Sequence, residues 1–269
     1  MSATTAIGID IGGTGIKGAV VNLTTGELLS ERVKLPTPQG GAPAHIVETT
    51  REILAKVSQG YGVLPIGVCF PAVIKNGHTM SAANVSEKWI GLAAEDLFEK
   101  GLGAPIHFVN DADAAGYAEA QFGAAKGEPG VVLLTTLGTG IGSALLNDGI
   151  LVPNTELGHL EINGHDAESR AAYSVKEREK LSWEKWAHRL QTYYSTLETL
   201  FSPDLFIVGG GVSKSYQDFL PLLKLSTRII PAVHRNNAGI LGAAALAAKF
   251  PAEQESGHAE SDNRKKKKN

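Results

Sequence analysis

The sequence predicts an α/β protein made by duplication, two similar lobes around a cleft that grips a phosphate. Residues 7–21 read IGIDIGGTGIKGAVV, two apolar runs joined by a Gly/Thr turn. Residues 131–146 repeat the device: an apolar run to Leu137, the turn Gly138-Thr139-Gly140, and a second run from Ile141. Around both, apolar runs of strand length alternate with segments whose apolar residues recur at helical spacing.

The first hairpin carries the most chemistry. Gly12, Gly13 and Gly15 have no side chains to keep an anion away from backbone N–H groups, Thr14 adds a hydroxyl donor, and Lys17 adds a positive charge. Asp10, on the incoming strand, suits a Mg²⁺ held through water. The same letters match the dinucleotide pattern G-x-G-x-x-G from Gly13 to Gly18, but that pattern needs a helix next. Here a β-rich run, Ala19 to Leu23, follows instead. No V-A-I-K, H-R-D or D-F-G supports a protein-kinase loop, and no Gly-Lys-Ser/Thr supports a Walker A loop. A Gly-rich hairpin without a ligand stays open on these residues alone.

Composition narrows the classes. The 269 residues are 43% hydrophobic and 20% charged, enough for a large domain or two lobes with a real core. A net charge of −3 gives no electrostatic reason to expect nucleic acid or an anionic membrane as partner. One cysteine, Cys69, rules out an internal disulfide framework and a multi-cysteine zinc cluster, and fits a reducing cytoplasm. The first residues lack a basic region and a long apolar region, and no apolar run approaches spanning length, so a cytoplasmic protein is expected.

In chain order, a third strand is expected over residues 27–35 and a helix over 44–59, ended by Gly60 and Gly62. A buried-type strand covers 65–70, a polar loop 75–88, a helix 93–100 and a strand 106–109. Asn110-Asp111 then breaks the strand pattern and starts an Ala-rich helix to Phe122. After the second hairpin, residues 156–161 form a loop or short strand and 182–201 a long helix with Trp183, Trp186, Leu190, Leu197 and Leu200 inward. A strand at 205–208 ends in Gly209-Gly210-Gly211, and a small-residue helix spans 239–249. The division expected is a small lobe over residues 1–111, onto which the last helix packs back, and a large lobe over 112–237. Residues 250–269 read as a disordered polar tail, whose basic run from Arg264 to Lys268 could tether a polyanion or simply be solvated.

Asp111 is the candidate catalytic base. A carboxylate at a helix start, held by backbone N–H groups and the dipole, should stay ionised and able to take a hydroxyl proton during phosphoryl transfer. An ordinary N-cap aspartate is the bland alternative. Asn84, Asn110, Glu156, His159 and Glu168 are amide, carboxylate and imidazole groups that suit vicinal sugar hydroxyls, although each alone can be a turn, a structural or a solvated residue. Gly138, Thr139 and Gly140 would form the second phosphate hairpin, and Gly209 and Gly210 a nucleotide-facing turn.

Asp10-Ile-Gly-Gly-Thr-Gly-Ile-Lys17, Asn110-Asp111, Leu137-Gly-Thr-Gly140, Glu156-Leu-Gly-His159 and Val208-Gly-Gly-Gly211 occur in the order seen in the ROK sugar kinases. The resemblance runs from Ile7 to about Lys249 and implies an actin-like ATPase fold with glucose in the cleft and Mg²⁺ as cofactor. It matches Asp111 to the catalytic base, and Asn84, Asn110, Glu156, His159 and Glu168 to sugar contacts; it also implies a homodimer. Many members carry a C-x-C-G-x-x-G-C-x-E zinc loop after this motif. Here the stretch reads Ile162-Asn-Gly-His-Asp-Ala-Glu168-Ser-Arg, without cysteine, so that site cannot exist in that form. His159, a zinc ligand in those relatives, should be free for sugar. With Leu181-Ser-Trp-Glu-Lys-Trp186, the zinc-less pattern resembles the polyphosphate glucokinases, which implies polyphosphate or ATP as donor and mannose as a second acceptor.

Three alternatives stand beside this reading: a strictly ATP-dependent hexokinase of the same fold, a sugar-sensing regulator, and an idle sugar-binding protein. With six residues ahead of Ile7, a helix-turn-helix before the hairpin is not expected. Asp10, Asp111 and both Gly/Thr turns argue against an idle binder. A zinc-selective chelator, with Mg²⁺ restored afterwards, should leave activity and melting temperature unchanged; loss of either on zinc removal would contradict the zinc-less reading.

Overall fold

The computed structural model describes residues 3–82 and 85–249. Its first sheet comprises β1 (Thr5–Ile11), β2 (Gly15–Asn22), β3 (Val33–Pro36), β4 (Ile66–Phe70) and β5 (His107–Asn110), in the order β3-β2-β1-β4-β5. The second comprises β6 (Val131–Leu137), β7 (Ile141–Asn147), β8 (Ile150–Val152), β9 (Leu205–Gly209) and β10 (Arg228–Pro231), in the order β8-β7-β6-β9-β10. Each sheet begins with an antiparallel meander of three strands and adds two parallel strands beside the first. The duplication therefore extends from the hairpins to the whole topology.

Helices fill three layers around the sheets. Strand alternation decides which residues meet which layer. Ile7, Ile9 and Ile11 of β1 join Ile46, Ile53 and Val57 of α1 (Pro43–Val57) and Phe98 of α2 (Ala94–Leu102) on the outer face. Trp89 stacks on Phe98 and donates its indole N–H to the Gly41 carbonyl at 2.8 Å, so this core leaves no orphan donor on the ring. Across the second sheet, Leu133, Leu137, Phe206 and Val208 pack on Trp186, Leu190, Tyr194 and Leu197 of a 19-residue helix, α4 (Trp183–Phe201).

Between the sheets lie α3 (Asp111–Phe122) and α5 (Ala238–Lys249). The inner face of β1 is Ala6, Gly8 and Asp10, small residues followed by one carboxylate. A Cβ on Gly8 would stand 1.9 Å from the Ile240 carbonyl oxygen, and one on Gly67 of β4 1.9 Å from that of Ala243. On the opposite side of α5, a Cβ on Gly242 would stand 1.7 Å from the Ala114 carbonyl oxygen of α3. The last helix is thus clamped, backbone on backbone, between the first sheet and α3.

Several expectations need correcting. Pairing over residues 27–35 is confined to Val33–Pro36 and one bridge at Leu28, because the Ser30 hydroxyl, not a strand carbonyl, accepts the Val20 N–H at 3.0 Å. Leu200 is exposed: the buried stripe of α4 steps from Leu197 to Phe201 and leaves its neighbour outside. The loop after β4 holds a small hairpin, Ile74–Lys75 with His78–Thr79, turned at Asn76-Gly77 with both φ positive. Residues 168–178 form two short helices, and β10 lies in a stretch for which no strand was expected. Asn84 and the 250–269 tail lie outside the described residues. Among the described residues, no helix is long and apolar enough to cross a membrane.

An exposed helical Gly→Ala change normally stabilises a protein by about 1 kcal/mol. At Gly242 the sign should reverse: Gly242→Ala is expected to cost about 2–3 kcal/mol in urea unfolding, through backbone overpacking. A stabilised variant would mean that the clamp is slack.

Candidate active site

The cleft is built where strands of both sheets end against the inner helices. Its volume is about 590 Å³, and its walls include Gly12 and Gly13 of the first hairpin, Gly138, Thr139 and Gly140 of the second, and Asn110, Asp111, Glu156, His159, Glu168 and Gly210. An adjoining cavity of about 120 Å³ shares Asp111, Thr136 and Gly210 with it, and adds Asp10, Glu119, Gly209 and Arg235. Asp111 therefore stands where the two spaces meet. Gly15 and Lys17 are drawn back into β2, and Thr14 is exposed at the hairpin tip.

Both hairpins are locally tied. Gly12 N–H donates to the Gly15 carbonyl at 3.1 Å, and the Thr37 hydroxyl donates to the Gly12 carbonyl. In the second, Gly138 N–H donates to the Gly140 carbonyl at 3.0 Å, while Ser174 donates its N–H to the Gly138 carbonyl and its hydroxyl to the Thr139 carbonyl, at 3.0 and 2.6 Å. Ser174 thereby holds two carbonyls of the turn. Gly210 has φ +81°, and a Cβ there would strike the Leu137 carbonyl oxygen at 2.4 Å, so the turn after β9 requires glycine.

Asp10 and Asp111 come from opposite sides of the inner layer. Asp10 Oδ2 accepts from Lys17 Nζ at 2.8 Å, with Cys69 Sγ at 3.7 Å from Oδ1. The start of α5 abuts it: a Cβ on Gly239 would lie 2.8 Å from Asp10 Cγ. The expectation that Asp111 is kept ionised by its helix start is corrected here. Asn110 is the cap of α3, its Oδ1 accepting from the N–H groups of Ala112 and Asp113 at 2.8 and 3.0 Å. Asp111 stands one residue in, its Oδ1 accepting the Ala112 N–H at 2.8 Å. Burial first, and the negative charge of Asp10 second, push its pKa up to about 7. Desolvation outweighs the dipole.

The other wall is a bank of polar groups. Asn110 Nδ2 donates to the Ala72 carbonyl at 3.0 Å, which uses one of its two amide hydrogens. The Glu156 carbonyl accepts the His159 N–H at 3.0 Å; burial raises the pKa of its carboxyl, opposed by His159 and reinforced by Glu168. Glu168 Oε2 accepts the Ile141 N–H at 2.9 Å, which ties this carboxylate to the second hairpin. His159 Nδ1 lies 2.8 Å from Asp166 Oδ2, and that hydrogen bond is the main reason its pKa rises.

Sequence reasoning missed four supports: Ser174, Asp113, Asn154 and Asp166. Asp113 is buried and accepts the Asn154 N–H at 2.7 Å through Oδ2. The Asn154 amide in turn exchanges two hydrogen bonds of 2.8 Å with the Ile74 backbone, joining the approach to Glu156 to the first lobe. Asp113 was visible in the capping motif, and Asp166 in the Asn163-Gly164 hairpin signal just before it. Ser174 and Asn154 had no local signal. His159, Asp166 and Glu168 also lie close enough for one ligand atom of each to fall within 4.8 Å of the others.

Two duplicated sheets of this order, with a phosphate-type hairpin in each and carboxylates between them, define the sugar-kinase class of the actin-like ATPase fold. A family model described as ROK family matches residues 6–171, and the chain belongs to the ROK family. It is 47% identical over 239 residues to a polyphosphate glucokinase of Mycobacterium tuberculosis (strain CDC 1551 / Oshkosh), covering 88% of this chain and 89% of that protein. The crystal structure of an inorganic polyphosphate/ATP-glucomannokinase from Arthrobacter sp. strain KM superposes with a TM-score of 0.88 and 51% identity, over 92% of this chain and 99% of that one. A ROK family glucokinase from Streptomyces griseus, in complex with glucose and AMPPNP, shares the fold at 24% identity and a TM-score of 0.79, over 91% and 100% of the two chains.

The raised pKa of Asp111 has a stability consequence with a definite sign. Its folded value lies above the unfolded one, so the native state holds the extra proton between roughly pH 4 and 7 and loses stability as pH rises through that window. In Mg²⁺-free buffer, Asp111→Asn should therefore match the parent near pH 4 and exceed it by on the order of 1 kcal/mol at pH 8, after allowance for solvent at the cleft. Parallel melting curves across that range would remove the electrostatic account.

Proposed function

We propose that this chain transfers a phosphoryl group from inorganic polyphosphate or ATP to the 6-hydroxyl of glucose, with mannose as a second acceptor. The observation that carries the reading is Asp111, standing where the sugar-lined cleft meets the small cavity of Asp10 and the glycine turns. The polyphosphate glucokinase and glucomannokinase relatives support the choice of donors and acceptors.

The chemistry follows from the groups present. Asn110, Glu156, His159 and Glu168, together with Asn84, offer paired donors and acceptors to vicinal hydroxyls and orient the sugar toward Asp111. Asp111, with a pKa of about 7, is poised to accept the 6-hydroxyl proton as the hydroxyl oxygen attacks phosphorus and the bond to the donor's leaving oxygen breaks. Backbone N–H groups at the two hairpins, with Thr14 and Thr139, would receive the charge of the donor phosphates, Lys17 being held by Asp10 at 2.8 Å, and Gly209 and Gly210 would admit the donor beside β9.

A Mg²⁺ fits this donor set. Asp10 and Asp111 present hard carboxylate oxygens to one cavity, and the repulsion that raises Asp111 is a charge imbalance which a divalent cation would relieve. Asp10 would hold the ion through water, and when bound it supplies neutralisation of the transferring phosphoryl group. The same reading includes a homodimer in the cytoplasm and no structural zinc.

Asp111→Asn should lower kcat by roughly 10²–10⁴-fold with glucose affinity nearly kept, and should remove the acid limb of kcat/KM that the parent shows near pH 7. Near-normal turnover in that variant would take Asp111 out of the mechanism. Competition between long-chain polyphosphate and ATP for one pool of glucose separates the donors: mutual inhibition is expected, and turnover with ATP alone would favour the strictly ATP-dependent reading.

A further inference from the structure

In this chain the segment after His159 is a tight hairpin. Glu161–Ile162 pairs antiparallel with His165–Asp166 across the two-residue turn Asn163-Gly164, whose φ values are +55° and +74°. Asn-Gly is the pair that a type I′ turn demands, because both residues must sit in the left-handed region. The register sets Asp166 opposite Glu161, and so returns the chain to His159.

Asp166 then uses both carboxylate oxygens. Oδ2 lies 2.8 Å from His159 Nδ1. Oδ1 accepts the backbone N–H groups of Glu168 and Ser169 at 3.1 and 3.4 Å, and the Ser169 hydroxyl closes the turn on the Asp166 carbonyl at 2.6 Å. One side chain therefore fixes the imidazole and the start of the short helix that carries Glu168. Asp166 is not part of the cleft wall, whereas His159 and Glu168 are. With Nδ1 turned to Asp166, Nε2 is the ring nitrogen left to the cleft.

We infer that Asp166 is a positioning residue for sugar binding, orienting His159 through Nδ1 and leaving Nε2 to a sugar hydroxyl. The inference rests on reading His159 as a sugar contact. Its logic is the usual one for a histidine whose function depends on one nitrogen: the hydrogen bond at the other decides tautomer and ring angle. A carboxylate beside Nδ1 accepts its proton. An amide in the same place can turn its NH₂ to the ring and make Nδ1 the acceptor. Asp166→Asn keeps a carbonyl oxygen for the Glu168 and Ser169 N–H groups, since asparagine caps as well as aspartate, yet deprives His159 of its acceptor.

The test uses the full-length protein with glucose and either donor. Asp166→Asn and Asp166→Ala should each raise the glucose KM about tenfold, with kcat changed less than threefold and the donor KM unmoved. Asp166→Asn should also shift the His159 ring ¹⁵N resonances toward the opposite tautomer. In a His159→Ala background, Asp166→Asn should add less than twofold to the glucose KM, because its route of action is gone. A parental glucose KM in Asp166→Asn, with His159→Ala impaired, would overturn the inference. So would full additivity of the two changes, or a stoichiometric divalent metal that Asp166→Ala releases, which would make the carboxylate a ligand instead. If His159→Ala itself leaves the glucose KM unchanged, the underlying assignment of His159 to the sugar is what fails.

Discussion

Everything in this protein depends on how closely α5 can lie against its neighbours. Glycines at 8 and 67 admit the helix backbone onto the first sheet, and Gly242 admits α3 onto the other side. Side chains of ordinary size would push these layers several ångströms apart. The contact is therefore a constraint as much as an attraction: it sets the spacing between a strand that carries Asp10 near its end and a helix that begins with Asp111. Two carboxylates from distant parts of the chain then share one small cavity.

That proximity is costly to the fold and useful to the chemistry. In water a carboxylate titrates near pH 4, too weakly basic to compete for a sugar hydroxyl's proton. Burial and the charge of Asp10 lift Asp111 to about 7, where it is half-ionised near neutrality and a better acceptor. Lys17 compensates Asp10 directly, at 2.8 Å, and so keeps the pair from being two uncompensated anions. The strain is located at the junction of the two cavities that share Asp111. Active sites commonly concentrate it there.

The sugar side is organised differently, by hydrogen bonds that link wall to wall. Glu168 touches the second hairpin through Ile141, Asp166 links Glu168 to His159, and Asn154 connects the approach to Glu156 with Ile74 of the first lobe. The polar wall of the cleft is thereby hydrogen-bonded to the second hairpin.

The sequence by itself determined the local pieces. Alternating apolar residues set the strands, and Gly/Thr turns set two hairpins. The order of Asp10, Asn110-Asp111 and Glu156-Leu-Gly-His159 sufficed to mark the cleft, because each depends on neighbours a few residues away. The lone Cys69 likewise excluded a cysteine-built zinc loop before any geometry was known. The extent of the third strand was not legible, because a serine hydroxyl replaced a strand carbonyl as acceptor. Nor was the inward face at the end of α4, which turned on whether Leu200 or Phe201 continued the stripe. Only the tertiary structure decided the proton affinity of Asp111 and the roles of Ser174, Asn154 and Asp166. Desolvation sums over every atom around a carboxylate, and a hydrogen bond between loops depends on where two backbones meet. Neither quantity is carried by the spacing of residues along the chain.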